Sequence, residues 1–166
     1  MKKINLTFLI LICIISFRAR AGKENYLVRC NQKWVEVVME DLFTPVVASR
    51  VHVYPNLAAY AGLSKKEKSL TSLEGKLTQF QGISSPKIPV DFSLAALFAF
   101  FTVAKKLVYS EYMITQFETD ETEIREKRNK KMTQLKNPSI EYGKQVGQEI
   151  ISWMKKDIYD YTWTLS

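Results

Sequence analysis

Histidine is almost absent from this 166-residue chain, His52 being the only one, and cysteine is confined to Cys13 and Cys30. So few ligands cannot build a zinc site, which takes about four nitrogen or sulfur donors. Acid pairs do not replace them: Glu121 and Glu123 sit two apart, so on a helix they face different ways. With six glycines in all, there is no glycine-rich phosphate loop. No internal repeat is visible. No apolar run reaches the roughly 20 residues that span a bilayer. Metal clusters, phosphate-cradling loops and ordinary transmembrane bundles are therefore not expected.

What is present begins with a leader. Lys2 and Lys3 precede an apolar run from Ile4 to Phe17, and Ala19-Arg20-Ala21 follows as an A-x-A site. This reads as a secretory signal peptide over residues 1–21, the alternative being an uncleaved anchor. A lipoprotein signal fits worse, because Ile12 stands before Cys13 where a small residue is needed. The leader holds Lys2, Lys3, Arg18 and Arg20 and no acid, so its removal lowers the net charge from +7 to +3. That balance is too mild to argue for nucleic acid. Cleavage also leaves Cys30 alone, which rules out an internal disulfide and suits an inert buried thiol. The chain is thus expected to be exported, periplasmic or secreted, and to meet the membrane only through its leader.

The rest is 46% hydrophobic over the whole sequence and rich in aromatics, so a packed core is expected rather than disorder. Its periodicity is helical nearly throughout. Leu27, Cys30, Trp34, Val38 and Leu42 mark one face of a first helix over Glu24–Leu42. Thr44 can cap the next helix, with Pro45 at its first position. Val47, Val51, Tyr54, Ala58 and Ala61 continue it as a seam at spacings of four and three. With so many small residues, Asp41–Leu63 is read as the central helix of a bundle. Pro55 predicts a kink or break within it, and Val51-His52-Val53-Tyr54 could alternatively form a short strand. Leu70, Leu73, Leu77 and Phe80 suggest a short amphipathic helix, and residues 82–89 a loop.

Phe92–Val108 is apolar almost all round and reads as a buried helix, a membrane-dipping one being the sharper alternative. Ser110 is a plausible cap for a long polar helix running to about Lys136. Its acidic block Glu118–Glu123 and basic block Arg125–Lys131 read as a solvated face with local pairing. The last helix restarts at Asn137-Pro138 with a seam of Ile140, Gly143, Gly147, Ile150 and Met154. Its Gly143 and Gly147 form a small-x-x-x-small pair for close helix packing. The expected organisation is all-α: a leader over 1–21, a bundle of about five to six helices over 22–158, and a tail over 159–166.

Several stretches resemble the N-terminal helical part of bacterial vanadium-dependent haloperoxidase-like proteins, of the type-2 phosphatidic acid phosphatase superfamily. They are Phe43-Thr44-Pro45-Val46-Val47-Ala48-Ser49-Arg50, Ala58-Ala59-Tyr60, Ser93-Leu94-Ala95-Ala96-Leu97, Val108-Tyr109-Ser110-Glu111, Tyr142-Gly143-Lys144, and Trp153 with Lys156-Asp157. The resemblance runs from about Trp34 to Thr164 and implies an all-helical fold. It also implies an oxyanion site built from three motifs: a Lys with Arg-Pro after six residues, a Pro-Ser-Gly-His, and a Ser-Arg with His after five. Fixed cations hold the phosphate or vanadate, and a histidine attacks or ligates.

None of these motifs is present. Ser49-Arg50 is the nearest, but Asn56 stands at the histidine position, Tyr60 at the following acid, and His52 at the wrong spacing. Ser49 and His52 have i, i+3 proximity as a nucleophile pair, yet no acid to orient the imidazole. No catalytic, cofactor-binding or metal-binding residue is therefore expected in this chain, and a vanadate or phosphate site would lie in a separate catalytic half. The sequence reads as the exported scaffold region of a haloperoxidase- or acid-phosphatase-like protein, truncated or split from its catalytic half and inactive alone. A non-enzymatic periplasmic binding module is the alternative. Expected partners are that half or another copy of the chain, with no nucleic acid.

Overall fold

The computed structural model describes residues 26–66, 70–128 and 134–157. The leader, the tail over 159–166 and the end of the basic block at residues 129–131 lie outside the described residues. Five helices make up the described structure, and no strand occurs among these residues: α1 Tyr26–Glu40, α2 Pro45–Ser64, α3 Phe92–Leu107, α4 Glu111–Arg128 and α5 Lys136–Lys156. The all-α expectation holds, and Val51–Tyr54 is helical.

The chain divides into two units, residues 1–32 and 33–166. Of the first, the described part is the opening of α1, where Asn31 Nδ2 donates to Leu27 O at 2.9 Å.

The hub of the second unit is α3, not the Asp41–Leu63 helix that the sequence suggested. Leu94 through Phe101, Val103, Ala104 and Leu107 are all buried, so α3 has no solvent stripe. Helices α2, α4 and α5 pack on it, and Trp34 of α1 meets Phe100 edge-to-face at 6.1 Å. The physical reason is the breadth of the apolar surface. The α2 seam covers one face only, with Val46, Ser49 and Val53 exposed behind it. A helix apolar on all sides must be enclosed.

Helix α3 starts on a cap that the sequence reading passed over. Asp91 Oδ1 accepts from Ser93 N at 2.9 Å and Leu94 N at 3.1 Å, satisfying two of the orphan donors. Its own N–H donates to Ser139 Oγ at 2.8 Å, and that hydroxyl donates to Leu135 O at 2.5 Å. The starts of α3 and α5 are thereby tied. At the other end, Lys105 and Lys106 occupy the last turn of α3, where positive charge suits the helix dipole.

In α2 the predicted seam is buried at every position, joined by Pro55, Ala59 and Gly62. The helix runs unbroken through Pro55, so the expected break is corrected: packing of the seam on both sides outweighs the one lost hydrogen bond. Thr44 occupies the N-cap position but makes no side-chain cap bond, a second correction. Pro45 at N1 and the Ala48 N to Thr44 O bond of 2.8 Å start the helix instead.

Helix α5 lies closest to α3. A Cβ built on Gly143 would collide with the carbonyl oxygen of Ala95, and one on Gly147 would come within 2.5 Å of Thr102 Cβ. The small-x-x-x-small pair is a close-packing device, as the spacing suggested. Helix α4 is held to α3 by Phe117 against Phe101 at 6.0 Å and by the 2.9 Å Lys105–Glu118 ion pair. Within α4, Lys127 reaches Glu123 one turn upstream at 3.3 Å, the local pairing expected. Glu121, however, is buried, so that face is not wholly solvated.

The short helix expected over residues 70–80 does not form. Turns replace it, with Gly75 at φ 69° and Gln79 at φ 59°; left-handed residues four apart interrupt the helical ladder. This segment is strapped to α5, where Trp153 Nε1 donates to Thr78 O at 2.9 Å and Phe80 meets the Trp153 ring at 5.8 Å.

Candidate functional site

Of the residues with any chemical promise, Ser49, Arg50 and His52 share the first half of α2 and part company in what they touch. Ser49 is exposed, and its hydroxyl donates to Val46 O at 2.7 Å. It is not bonded to His52. His52 is half-buried, and its carbonyl accepts from Asn56 Nδ2 at 3.0 Å. Among the described residues no side-chain hydrogen bond orients its imidazole, and no three His, Cys, Asp or Glu side chains converge as metal ligands.

Arg50 is differently placed, and the sequence reading missed why. Its Nη2 donates to Asp157 Oδ2 at 2.5 Å and to Asp157 O at 2.7 Å, and its Nε donates to Tyr54 OH at 3.2 Å. Tyr54 OH in turn donates to Asp157 Oδ2 at 2.7 Å. The guanidinium thus neutralises both the carboxylate and the carbonyl end of α5, where the helix dipole is negative. Burial works to lower the Arg50 pKa, but the Asp157 hydrogen bond and the neighbouring charges leave it raised. Burial, then the bond to Asp157, pushes the Tyr54 phenol well above its ordinary value. The Tyr54 ring packs edge-to-face on Trp153 at 6.0 Å. Arg50 and Tyr54 are one turn apart, a spacing visible in the sequence. Their acid lies 107 residues after Arg50, so only the fold could reveal it.

An open groove of about 800 Å³ lies where the ends of α3 and α5 meet the α3–α4 link. Thr102, Lys106, Tyr109, Ile151, Met154 and Lys155 are among the side chains that line it. Lys106 and Lys155 are exposed and stand in last turns, where they complement helix dipoles. Lys105, also on the wall, is engaged with Glu118. Sequence spacing gave no hint of this groove, because its walls come from segments some forty residues apart.

On the opposite side of α5, Tyr142 OH donates to Ser84 O at 2.8 Å. Burial, with Glu149 adding, pushes this phenol up to about 12. No helix among the described residues is long and apolar enough to cross a membrane, and α3 packs as a core helix.

No family model matches the chain, and no curated protein does. Among solved structures, the crystal structure of the first bacterial vanadium-dependent iodoperoxidase superposes with a TM-score of 0.75 at 32% identity. The match covers 83% of this chain and 33% of that one. The chain therefore spans about a third of the length of the protein it resembles, and its helices carry a haloperoxidase-like fold.

Proposed function

We propose that this chain is the helical scaffold region of an exported haloperoxidase- or acid-phosphatase-like protein, and that it turns over no substrate alone. The observation that carries the reading is the 32% identity with the vanadium iodoperoxidase over only a third of that protein. The sequence supports it too. The chain contains no Arg-Pro and no Pro-Ser-Gly-His, and its Ser49-Arg50 lacks the following histidine.

On this reading the described residues hold no vanadate or phosphate by themselves. An oxyanion site needs several fixed cations aimed at one point. Arg50 is committed to Asp157 and Lys105 to Glu118, while Lys106 and Lys155 stand exposed on the open groove. On this reading the chain supplies buried helical structure against which a catalytic region would be built.

The test is to assay the purified chain for bromide oxidation with vanadate and peroxide, and for phosphomonoester hydrolysis. Both should be blank. Turnover that His52→Ala abolishes would overturn the reading. A non-enzymatic binding module is supported only by the open groove at the ends of α3 and α5. Phe98 and Phe100 each pack edge-to-face on Phe101, so these rings fill the core.

A further inference from the structure

The five most exposed large apolar side chains among the described residues are Leu42 (86%), Val46 (74%), Tyr109 (74%), Met39 (70%) and Tyr112 (68%). They are not scattered. Met39, Leu42 and Val46 flank the α1–α2 link, while Tyr109 and Tyr112 flank the α3–α4 link. Asp41 binds the two links together. Its Oδ2 accepts from Tyr109 N at 2.7 Å, and its Oδ1 accepts from Ser110 N at 3.1 Å and Ser110 Oγ at 2.6 Å. Phe43 also stacks on Tyr109, with ring centroids 6.2 Å apart. The exposed side chains therefore stand on one pre-organised corner rather than on loose ends.

Leu42 has a second peculiarity. It follows α1 in the left-handed region, at φ 55°, where glycine is the usual residue and a Cβ is disfavoured. A branched apolar side chain is thus displayed to solvent from a backbone position that would be easier without it. Strain and exposure at one residue both argue that its side chain is used.

We propose that this corner is a self-association surface, through which the chain pairs with a second copy about a two-fold axis. Two observations favour a second copy. Five large side chains two-thirds or more exposed on one corner supply the apolar centre of an interface, which in a standard complex takes ~800 Å² from each partner. The border carries both signs: Glu40 follows Met39 in the chain, and Glu111, Lys106 and Lys155 line the groove with Tyr109, all four exposed. A border that carries both signs can pair with its own copy across a two-fold axis, as an isologous interface requires. This pairing does not depend on any catalytic reading of the chain.

Analytical ultracentrifugation tests it, using protein purified from cells that express the full 166-residue sequence. The wild type should sediment as a dimer in the micromolar range. The double variant Leu42→Asp/Tyr112→Asp should weaken association at least about tenfold, as loss of central interface anchors does, with helicity by circular dichroism unchanged. Ile88→Asp, at an exposed site on the segment before α3, should leave the dimer intact. Leu42→Gly separates a docking role from a structural one. It relieves the left-handed backbone, so thermal stability of the dilute protein should rise while association weakens. A wild type that stays monomeric at all concentrations overturns the proposal. So does a dimer that the double variant leaves unchanged, or weakens no more than Ile88→Asp does.

Discussion

Replacing Gly143 by alanine adds one methyl group where α5 packs tightly on α3. The new Cβ would land on the carbonyl oxygen of Ala95 and within 2.8 Å of Phe98 Cβ. Neither neighbour can step aside: one is backbone in the middle of α3, the other the root of a buried ring. Helix α5 must therefore lift off α3, loosening Val146, Ile150 and Trp153, which are buried along the same face. Two effects oppose one another. Alanine gains about 1 kcal/mol of helix propensity over glycine. Overpacking a fitted core costs typically about 1–3 kcal/mol and sometimes more, and a clash with fixed backbone belongs at or beyond the upper end. The net expectation is a loss of about 2 kcal/mol or more. Urea unfolding followed by circular dichroism reads this as a midpoint lower by about 1 M, given m-values of roughly 1–3 kcal/mol/M for small proteins. Gly62 supplies the contrast. A Cβ there meets Ala96 Cα at 3.4 Å, an ordinary contact, so Gly62→Ala should be neutral or mildly stabilising. If Gly143→Ala is as stable as the wild type, or Gly62→Ala costs as much, the close-packing argument fails.

Three further expectations follow from the hydrogen bonds. Asp91→Ala removes the α3 cap and should cost about 1 kcal/mol, seen as a lower urea midpoint; Asp91→Asn, which keeps an acceptor oxygen, should recover most of it. Tyr54→Phe deletes the hydroxyl that joins Arg50 to Asp157 and should cost about 1 kcal/mol, with native amide-exchange protection falling first at the end of α5. Stability should also decline at alkaline pH. Tyr54 and Tyr142 titrate above their ordinary value of 10.0 when folded, so above pH 10 the unfolded chain releases protons that the folded chain keeps. Stability present below that pH is then lost as it rises, by at most about 1.4 kcal/mol per pH unit for each phenol. Tyr142→Phe should flatten the part of this slope that lies between pH 10 and about 12, and an unaltered slope would contradict the assignment.

Helix identity was legible wherever the pattern was local. The α2 seam from Val47 to Ala61, the all-round burial of α3 and the glycine pair of α5 each follow from spacing within one segment. What was not legible depended on long-range partners. Asp91 stands directly before the helix start read at Phe92, so its cap was a local signal that went unread; only its bond to Ser139 needed the fold. Residues 70–80 carry a helical spacing of leucines, but Trp153, Tyr142 and Glu149 hold this loop and its neighbours as an extended strap on α5. The role of Arg50 could not be inferred without Asp157. In the sequence it looks like half of a catalytic pair; in the fold its charge is already taken. The seam of α2 was so regular that it suggested the centre of the bundle. A seam, however, marks a helix with one dry side, and the centre belongs to the helix that has no wet one.

The claim that this helical region holds no oxyanion site of its own is tested most directly by vanadate binding. Vanadium NMR of the purified chain titrated into orthovanadate should show the free-vanadate signal unchanged in position and width. A bound signal that appears with one-to-one stoichiometry, and is lost in His52→Ala, would contradict the account.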